Sequence, residues 1–219
     1  MNKKSIILLS GGLDSLVSLG VGIKDYNIKL ALTFDYGQLP AKKEIEASKK
    51  ICEYYQIEHK VIELPFLKEI TKTGLLTGDI PIENLGTKSS AKAVWVPNRN
   101  GLFLNIAASV ADAEKYTHII FGANKEEGQT FSDNTQDFVD GINAEFKYST
   151  LEGVEVEAPL INYDKDDIVK VALKEGVPLD LAFSCYSGND KNCGVCESCR
   201  HLKSALINNG AREYIERLF

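Results

Sequence analysis

Short apolar runs that alternate with amphipathic stretches constrain this chain more than any other feature. The run Lys4–Leu9 is stopped by Ser10-Gly11-Gly12 and followed by Leu13, Leu16, Val17 and Leu19 at near-helical spacing, the pattern of a strand, a glycine turn and a helix. A second run, Ile28–Phe34, ends at Asp35-Tyr36-Gly37, and Ala41–Tyr55 then carries Ile45, Ala47, Ile51 and Tyr55 on one helical face. His59–Leu64 reads as a third strand. Strands apolar on both faces that alternate with helices belong in a parallel sheet with helices on both faces, because each crossover lays a helix over the sheet.

Residues 66–100 mix Gly, Thr and Ser around Thr73-Gly74, Thr77-Gly78 and Thr87-Lys88-Ser89-Ser90, and are expected to form a mobile loop. Gly101–Glu114 reads as a buried helix and His118–Phe121 as a fourth strand ending at Gly122-Ala123-Asn124. A loop is expected to Thr135, then a helix to about Phe146 and a short strand at Val154–Val156. Asp164 is placed to cap a helix over Asp166–Lys174, which stops at Gly176 before Pro178. There is no internal repeat and no linker rich in Pro, Gly or Ser, so one domain over residues 1–219 is expected.

At 219 residues, 44 % hydrophobic and 26 % charged, the chain can bury a core and is unlike disordered or collagen-like sequences. Its net charge of −6 is opposite in sign to the field that non-specific nucleic-acid binding requires. Lys3 and Lys4 ahead of Ile6–Leu9 imitate a secretion signal, but Asp14 interrupts the apolar stretch and no small-residue cleavage site follows. No apolar run approaches the ~18 residues of a membrane span. The expectation is a cytoplasmic protein with neither nucleic acid nor membrane as partner.

Ser10-Gly11-Gly12-Leu13-Asp14-Ser15 falls between the first strand and the first helix. There, two glycines let the backbone approach an anion, and the helix N-terminus offers unpaired N–H groups and a positive dipole. Ser10 and Ser15 add hydroxyls. The string is neither a Walker loop nor the Gly-x-Gly-x-x-Gly dinucleotide turn. The plain alternative is a tight turn with Asp14 as a first-turn carboxylate favoured by the helix dipole.

Four of the five cysteines, Cys185, Cys193, Cys196 and Cys199, lie within fifteen residues of one another. The two-residue gaps let neighbouring thiolates converge on one ion, and four thiolates fill a tetrahedral shell. That predicts a structural zinc with no open position for water. An iron–sulfur cluster is the alternative, since Cys193-x2-Cys196-x2-Cys199 also has ferredoxin-like spacing; against it, the fourth cysteine lies upstream and no Cys-Pro follows. Cys52 is expected in the core and His201 on a helix surface.

The complete loop string resembles the pyrophosphate-binding loop of the N-type ATP pyrophosphatases. Together with the cysteine cluster, the chain resembles the 7-cyano-7-deazaguanine synthase family over nearly its whole length. Beyond Ser10–Ser15 the likeness is carried by Asp35-Tyr36-Gly37-Gln38, Val96-Pro97-Asn98-Arg99-Asn100, Gly122-Ala123-Asn124 and Cys185-Tyr186, in that order. The resemblance implies an adenine-nucleotide alpha-hydrolase-like, Rossmann-like fold with a C-terminal zinc-binding loop. It also implies a homodimeric, ATP- and Mg²⁺-dependent ligase of queuosine-precursor biosynthesis. It places Leu9, Ser10, Gly11, Gly12, Leu13, Asp14, Ser15, Leu16, Gly37, Gln38, Arg99, Gly122 and Lys165 at the nucleotide. Asp14, Ser15 and Arg99 take part in the chemistry, and Phe131 and Asp133 meet the substrate. In the reaction so implied, 7-carboxy-7-deazaguanine is adenylated with loss of pyrophosphate, ammonia displaces AMP to give an amide, and a second activation dehydrates the amide to the nitrile. No glutaminase-like nucleophile is evident, so ammonia would come from solution.

Two departures bear on the substrate. Leu39-Pro40 stand where the family has a basic residue and His, and Phe131-Ser132-Asp133-Asn134-Thr135 where it has Tyr-Pro-Asp-Cys-Arg. A carboxylate accepts two hydrogen bonds, so Asp133 suits the N1–H and amine edge of a guanine-like base, and Phe131 suits its face; alternatively, Ser132-Asp133-Asn134 caps the next helix. Arg99 is a phosphate or carboxylate clamp, or a surface ion pair. Lys165 is a phosphate-site lysine or a solvated lysine at a helix start. The departures keep open a sister ligase acting on another carboxylic acid. A tRNA sulfur-insertion enzyme would need a basic RNA-binding surface or extra domain and a reactive cysteine pair, and a non-catalytic zinc module that binds nucleotide is a third reading.

Overall fold

The computed structural model of the protein describes residues 3–78 and 94–219. Its strands are β1 (Lys3–Leu8), β2 (Tyr26–Asp35), β3 (Glu58–Glu63), β4 (His118–Ile120) and β5 (Glu155–Glu157). They form one parallel sheet in the order β3-β2-β1-β4-β5. The connections carry α1 (Leu13–Gly22), α2 (Ala41–Tyr55), α3 (Phe66–Ile70), α4 (Gly74–Thr77) and α5 (Arg99–Ala113). After β4 come α6 (Lys125–Gly128) and α7 (Gln136–Ser149), and after β5 come α8 (Lys165–Glu175), α9 (Glu197–Asn208) and α10 (Glu213–Leu218).

Successive side chains of a strand point to opposite faces, and β1 shows the consequence. Ile6 and Leu8 pack with Leu104 of α5 and Phe146 of α7, whereas Ile7 and Leu9 pack with Leu16 of α1, Ile168 of α8 and Leu202 of α9. Both faces of the sheet are therefore covered, as the apolar runs require. The strand order reverses at β1, with β2 on one side and β4 on the other. In a doubly wound sheet that reversal opens a crevice at the carboxyl ends of the two diverging strands, where ligands bind.

Three local expectations are corrected. β3 is not buried on both faces: Glu58, Lys60, Val61 and Glu63 are exposed, because β3 is an edge strand, and charged side chains discourage pairing with another chain. Residues 66–100 are not simply a loop, since they contain α3, α4 and the start of α5, with Leu67, Leu75 and Leu76 buried in the core; Thr87-Lys88-Ser89-Ser90 lies outside the described residues. The connection before Thr135 holds α6 and a 3-10 turn at Ser132–Asn134. The capping expectation at α8 holds, with Asp164 accepting the Asp167 N–H and Gly176 ending the helix at φ +66°. No helix among the described residues is long and apolar enough to cross a membrane.

Candidate functional site

The Ser10–Ser15 loop lies at the strand-order reversal. Gly11 has φ +77°, and a Cβ there would stand 2.8 Å from the Glu44 carbonyl oxygen, so only glycine lets the chain turn against α2. Gly122, just after β4, closes the other side, where a Cβ would come 3.0 Å from Ser15 N. Ser15 braces the turn: its Oγ accepts the Ser10 N–H at 3.2 Å and donates to the Gly12 carbonyl at 3.1 Å. Leu9, Leu13 and Leu16 bury their side chains in the core, which leaves only their backbone for a ligand. Gly12 supplies no capping side chain, and the first-turn N–H groups of α1 have no intrahelical acceptor.

Lys165, the first residue of α8, reaches back to this loop. Its Nζ lies 2.6 Å from Asp14 Oδ2 and 2.9 Å from Glu127 Oε1, and its side chain is only 12 % exposed. The solvated-lysine alternative is thereby excluded. Burial disfavours the ammonium, but Asp14 and Glu127 outweigh it and hold the Lys165 pKa above the ordinary lysine range. Burial raises the Asp14 pKa against the pull of Lys165, whereas at Glu127 the lysine outweighs burial and the pKa falls. Asp14 Oδ1 is buried without a hydrogen-bond partner.

A second cluster stands beside the first. Arg99, partly buried at the start of α5, donates from Nη1 to the Tyr36 hydroxyl at 3.1 Å. Burial works against its charge, and Tyr36, Asp133 and Glu44 hold the pKa raised nonetheless; it is no surface ion pair. Asp133 is buried, accepts a hydrogen bond from Asn134 Nδ2 at 3.0 Å, and has its pKa raised by burial in spite of Arg99. The helix-cap alternative fails for Asp133, because Thr135 caps α7 by accepting the Phe138 N–H. Phe131 stacks on Trp95 with ring centroids 5.7 Å apart and planes at 12°. Gln38 is buried and fully engaged, with the Tyr36 N–H on its Oε1 and the Phe34 carbonyl and Glu44 on its Nε2. It fixes the turn at Gly37, whose φ is +84°.

The sulfurs of Cys185, Cys193, Cys196 and Cys199 lie within 4.8 Å of one another, with Cys193 and Cys199 at 3.9 Å. Four sulfurs about 2.3 Å from one tetrahedral ion stand about 3.8 Å apart, so a zinc ion fits this cluster with little movement. Backbone N–H groups of Ser187 and Cys193 point at Cys185 Sγ, and that of Cys196 at Cys193 Sγ, the kind of outer support that favours thiolates. The segment leading into the cluster clasps the loop: Phe183 N–H bonds the Gly11 carbonyl at 2.8 Å and Ser184 Oγ accepts the Leu13 N–H at 3.2 Å. Gly188 packs on Leu39-Pro40, where a Cβ would come 2.9 Å from the Leu39 carbonyl oxygen. Cys52 is a core thiol, pushed up to about 12 by burial. His201 lies on α9 with its Nδ1 2.7 Å from Glu126.

Glu127, Glu44, Ser184 and Trp95 were not legible as site residues, and Tyr36 was marked only as part of the Asp35-Tyr36-Gly37-Gln38 string. Glu127 and Ser184 carry no motif of their own, and Trp95 sits in a stretch whose composition reads as loop. The signal that finds them is their contact with residues the motifs do mark.

Residues 4–210 match the family described as Queuosine biosynthesis protein QueC. A 7-cyano-7-deazaguanine synthase of Carboxydothermus hydrogenoformans is 52 % identical over 214 residues, covering 94 % of this chain and 100 % of that protein. One of Methanosarcina barkeri is 45 % identical over 228 residues, covering 98 % and 99 %. Among solved structures, a 4-thiouridine synthetase–RNA complex with bound ATP superposes with a TM-score of 0.57 at 20 % identity, over 99 % of this chain and 53 % of that one. That likeness bears on the fold, which is the adenine-nucleotide alpha-hydrolase-like one. The chain belongs to the QueC family of queuosine biosynthesis proteins.

Proposed function

We propose that this chain converts 7-carboxy-7-deazaguanine and ammonia to 7-cyano-7-deazaguanine at the expense of ATP, acting as a carbon–nitrogen ligase. The observation that carries the reading is Lys165, whose ammonium joins Asp14 of the phosphate-type loop to Glu127, four residues before Phe131 on the segment that also bears Asp133. On this reading, pyrophosphate chemistry and base recognition share one crevice. The substrate carboxylate attacks the α-phosphorus of ATP; the Pα–O bond to pyrophosphate breaks, and the loop N–H groups with Lys165 receive the leaving charge. Ammonia adds to the acyl carbon, AMP leaves and a proton is lost, giving the amide. The amide oxygen then attacks the α-phosphorus of a second ATP with loss of pyrophosphate, and the C–O bond breaks as AMP leaves and the two N–H protons are lost, giving the nitrile. Asp133 accepts from the N1–H and amine edge of the base, Phe131 on Trp95 covers its face, and Arg99 pairs with carboxylate or phosphate oxygen.

Among the described residues, the site brings the carboxylates Asp14, Glu44, Glu127 and Asp133 near two cations, Arg99 and Lys165. Together with the orphaned Asp14 Oδ1, this suits Mg²⁺, a hard ion that takes oxygen ligands; Asp14 and Glu127 would hold it. When bound it supplies charge neutralisation on the phosphates. Zinc at the four cysteines is structural, and the enzyme acts as a cytoplasmic homodimer. A net charge of −6 favours a small acid over tRNA as substrate. Exchange of labelled pyrophosphate into ATP tests the reading: it should require 7-carboxy-7-deazaguanine and proceed without ammonia. Exchange that ignores the acid would overturn it.

A further inference from the structure

A second cluster of metal-ligating side chains lies away from the crevice. His118 opens β4, Glu155 opens β5 opposite it, and Glu157 pairs with Ile120 two residues on. One ligand atom from each of the three lies within 4.8 Å of the others. His118 is 6 % exposed, and its Nε2 is buried without a hydrogen-bond partner. Glu155 Oε2 stands 3.7 Å away, beyond hydrogen-bond reach. The other ring nitrogen, Nδ1, is 2.8 Å from Thr117 Oγ1. That contact orients the ring as outer partners orient ligating histidines, with the free nitrogen aimed at the two carboxylates.

We infer that His118 Nε2, Glu155 and Glu157 form a second divalent-metal site, independent of the cysteine cluster and of the catalytic crevice. One imidazole and two carboxylates form a mixed nitrogen–oxygen donor set, which suits borderline ions such as Zn²⁺ and Mn²⁺ rather than ions that seek thiolates. Ligand atoms on one such ion stand about 3–3.5 Å apart, so the site closes by a contraction of about an ångström. Glu155, with a side chain 61 % exposed, is free to supply that movement. The Tyr26 ring covers the imidazole at 5.2 Å between centroids. Lys3, the nearby cation, stands over Tyr26 and forms no ion pair with either glutamate among the described residues. The ion would tie the three-residue β4 to the edge strand β5. Gly122 follows His118 by four positions, about 13 Å of extended chain, which places the site at the far end of β4 from the loop.

The test is a Zn²⁺ titration by calorimetry of protein whose cysteine cluster is already loaded, with metal counted by mass spectrometry. The wild type is expected to take a second equivalent and to gain thermal stability with it. His118→Gln and Glu155→Gln are expected to lower that affinity at least about tenfold and to lose the thermal gain, with the first equivalent at the cysteines unchanged. Glu155 is exposed, so the Glu155→Gln variant reports even where His118→Gln fails to fold. No second equivalent in the wild type, or one that survives Glu155→Gln undiminished, overturns the inference.

Discussion

Lys165→Met probes the electrostatics on which the crevice depends. The ammonium lies 2.6 Å from Asp14 and 2.9 Å from Glu127. At an effective dielectric of about 20, the closer pair is worth about 6 kcal/mol gross, largely offset by desolvation of the two ions. Glu127 is 42 % exposed, so water screens its share, and it is left out of the sum. Methionine keeps the length and removes the charge, leaving Asp14 partly buried without a cation. The carboxyl then takes up a proton, at a cost at pH 7 of about 4 kcal/mol for an ordinary pKa near 3.9 and less for one already raised by burial. The destabilisation is therefore bounded at about 4 kcal/mol, less than the stability of most domains. Its pH dependence has a definite sign. Loss of the lysine's pull lifts the folded-state pKa of Asp14 in the variant above that of the wild type, itself raised by burial, so between the two values the folded variant binds more proton than the folded wild type. The variant gains stability on the wild type as pH falls from 7 towards 4, by up to about 1.4 kcal/mol per unit, and loses it as pH rises. Urea unfolding at pH 5, 6 and 7 reads this as a gap between the two proteins that narrows on acidification. A gap independent of pH would refute the pairing and leave Lys165 a packing residue.

Asp14→Asn should leave the fold intact, since it removes a carboxyl that burial disfavours, yet lower pyrophosphate exchange by about a hundredfold or more; wild-type exchange would remove Asp14 from the site. Asp133→Asn places a donor against donors on the base and should lower kcat/KM for the acid about tenfold to a hundredfold with ATP affinity unchanged. Because the raised Asp133 pKa means its ionised form weakens the fold, the Asn variant should melt no lower than wild type at neutral pH, with the advantage vanishing as acid protonates the native carboxyl. Purified protein should be colourless with one zinc at the cysteines. Cys196→Ser should lower the melting temperature and, through Ser184 on the Leu13 N–H, raise the KM for ATP more than it lowers kcat.

The strands and the phosphate-type loop were legible because each is a local pattern: an apolar run, a glycine pair, a helix start. The cysteine spacing was legible for the same reason. What escaped was set by partners distant in the chain. Asp14 and Lys165 are 151 residues apart, and no property of either alone separates a buried ion pair from two solvated side chains. Asp133 was ambiguous because Asp and Thr both cap helices, and only the observed bond from Phe138 to Thr135 assigns the cap. The edge position of β3 follows from sheet order, which composition does not encode. Leu39-Pro40, a departure from the family pattern, lies under Gly188 of the cysteine segment, a contact between parts of the chain that local sequence does not relate.

One crevice is proposed to adenylate a deazaguanine acid and to deliver ammonia to it. The most direct measurement is incubation of the protein with 7-carboxy-7-deazaguanine, ATP, Mg²⁺ and ¹⁵N-ammonium, followed by mass spectrometry. A labelled amide that gives way to a labelled nitrile is expected, with AMP and pyrophosphate formed at each of the two activations. Turnover of ATP with another acid but not with this one would contradict it.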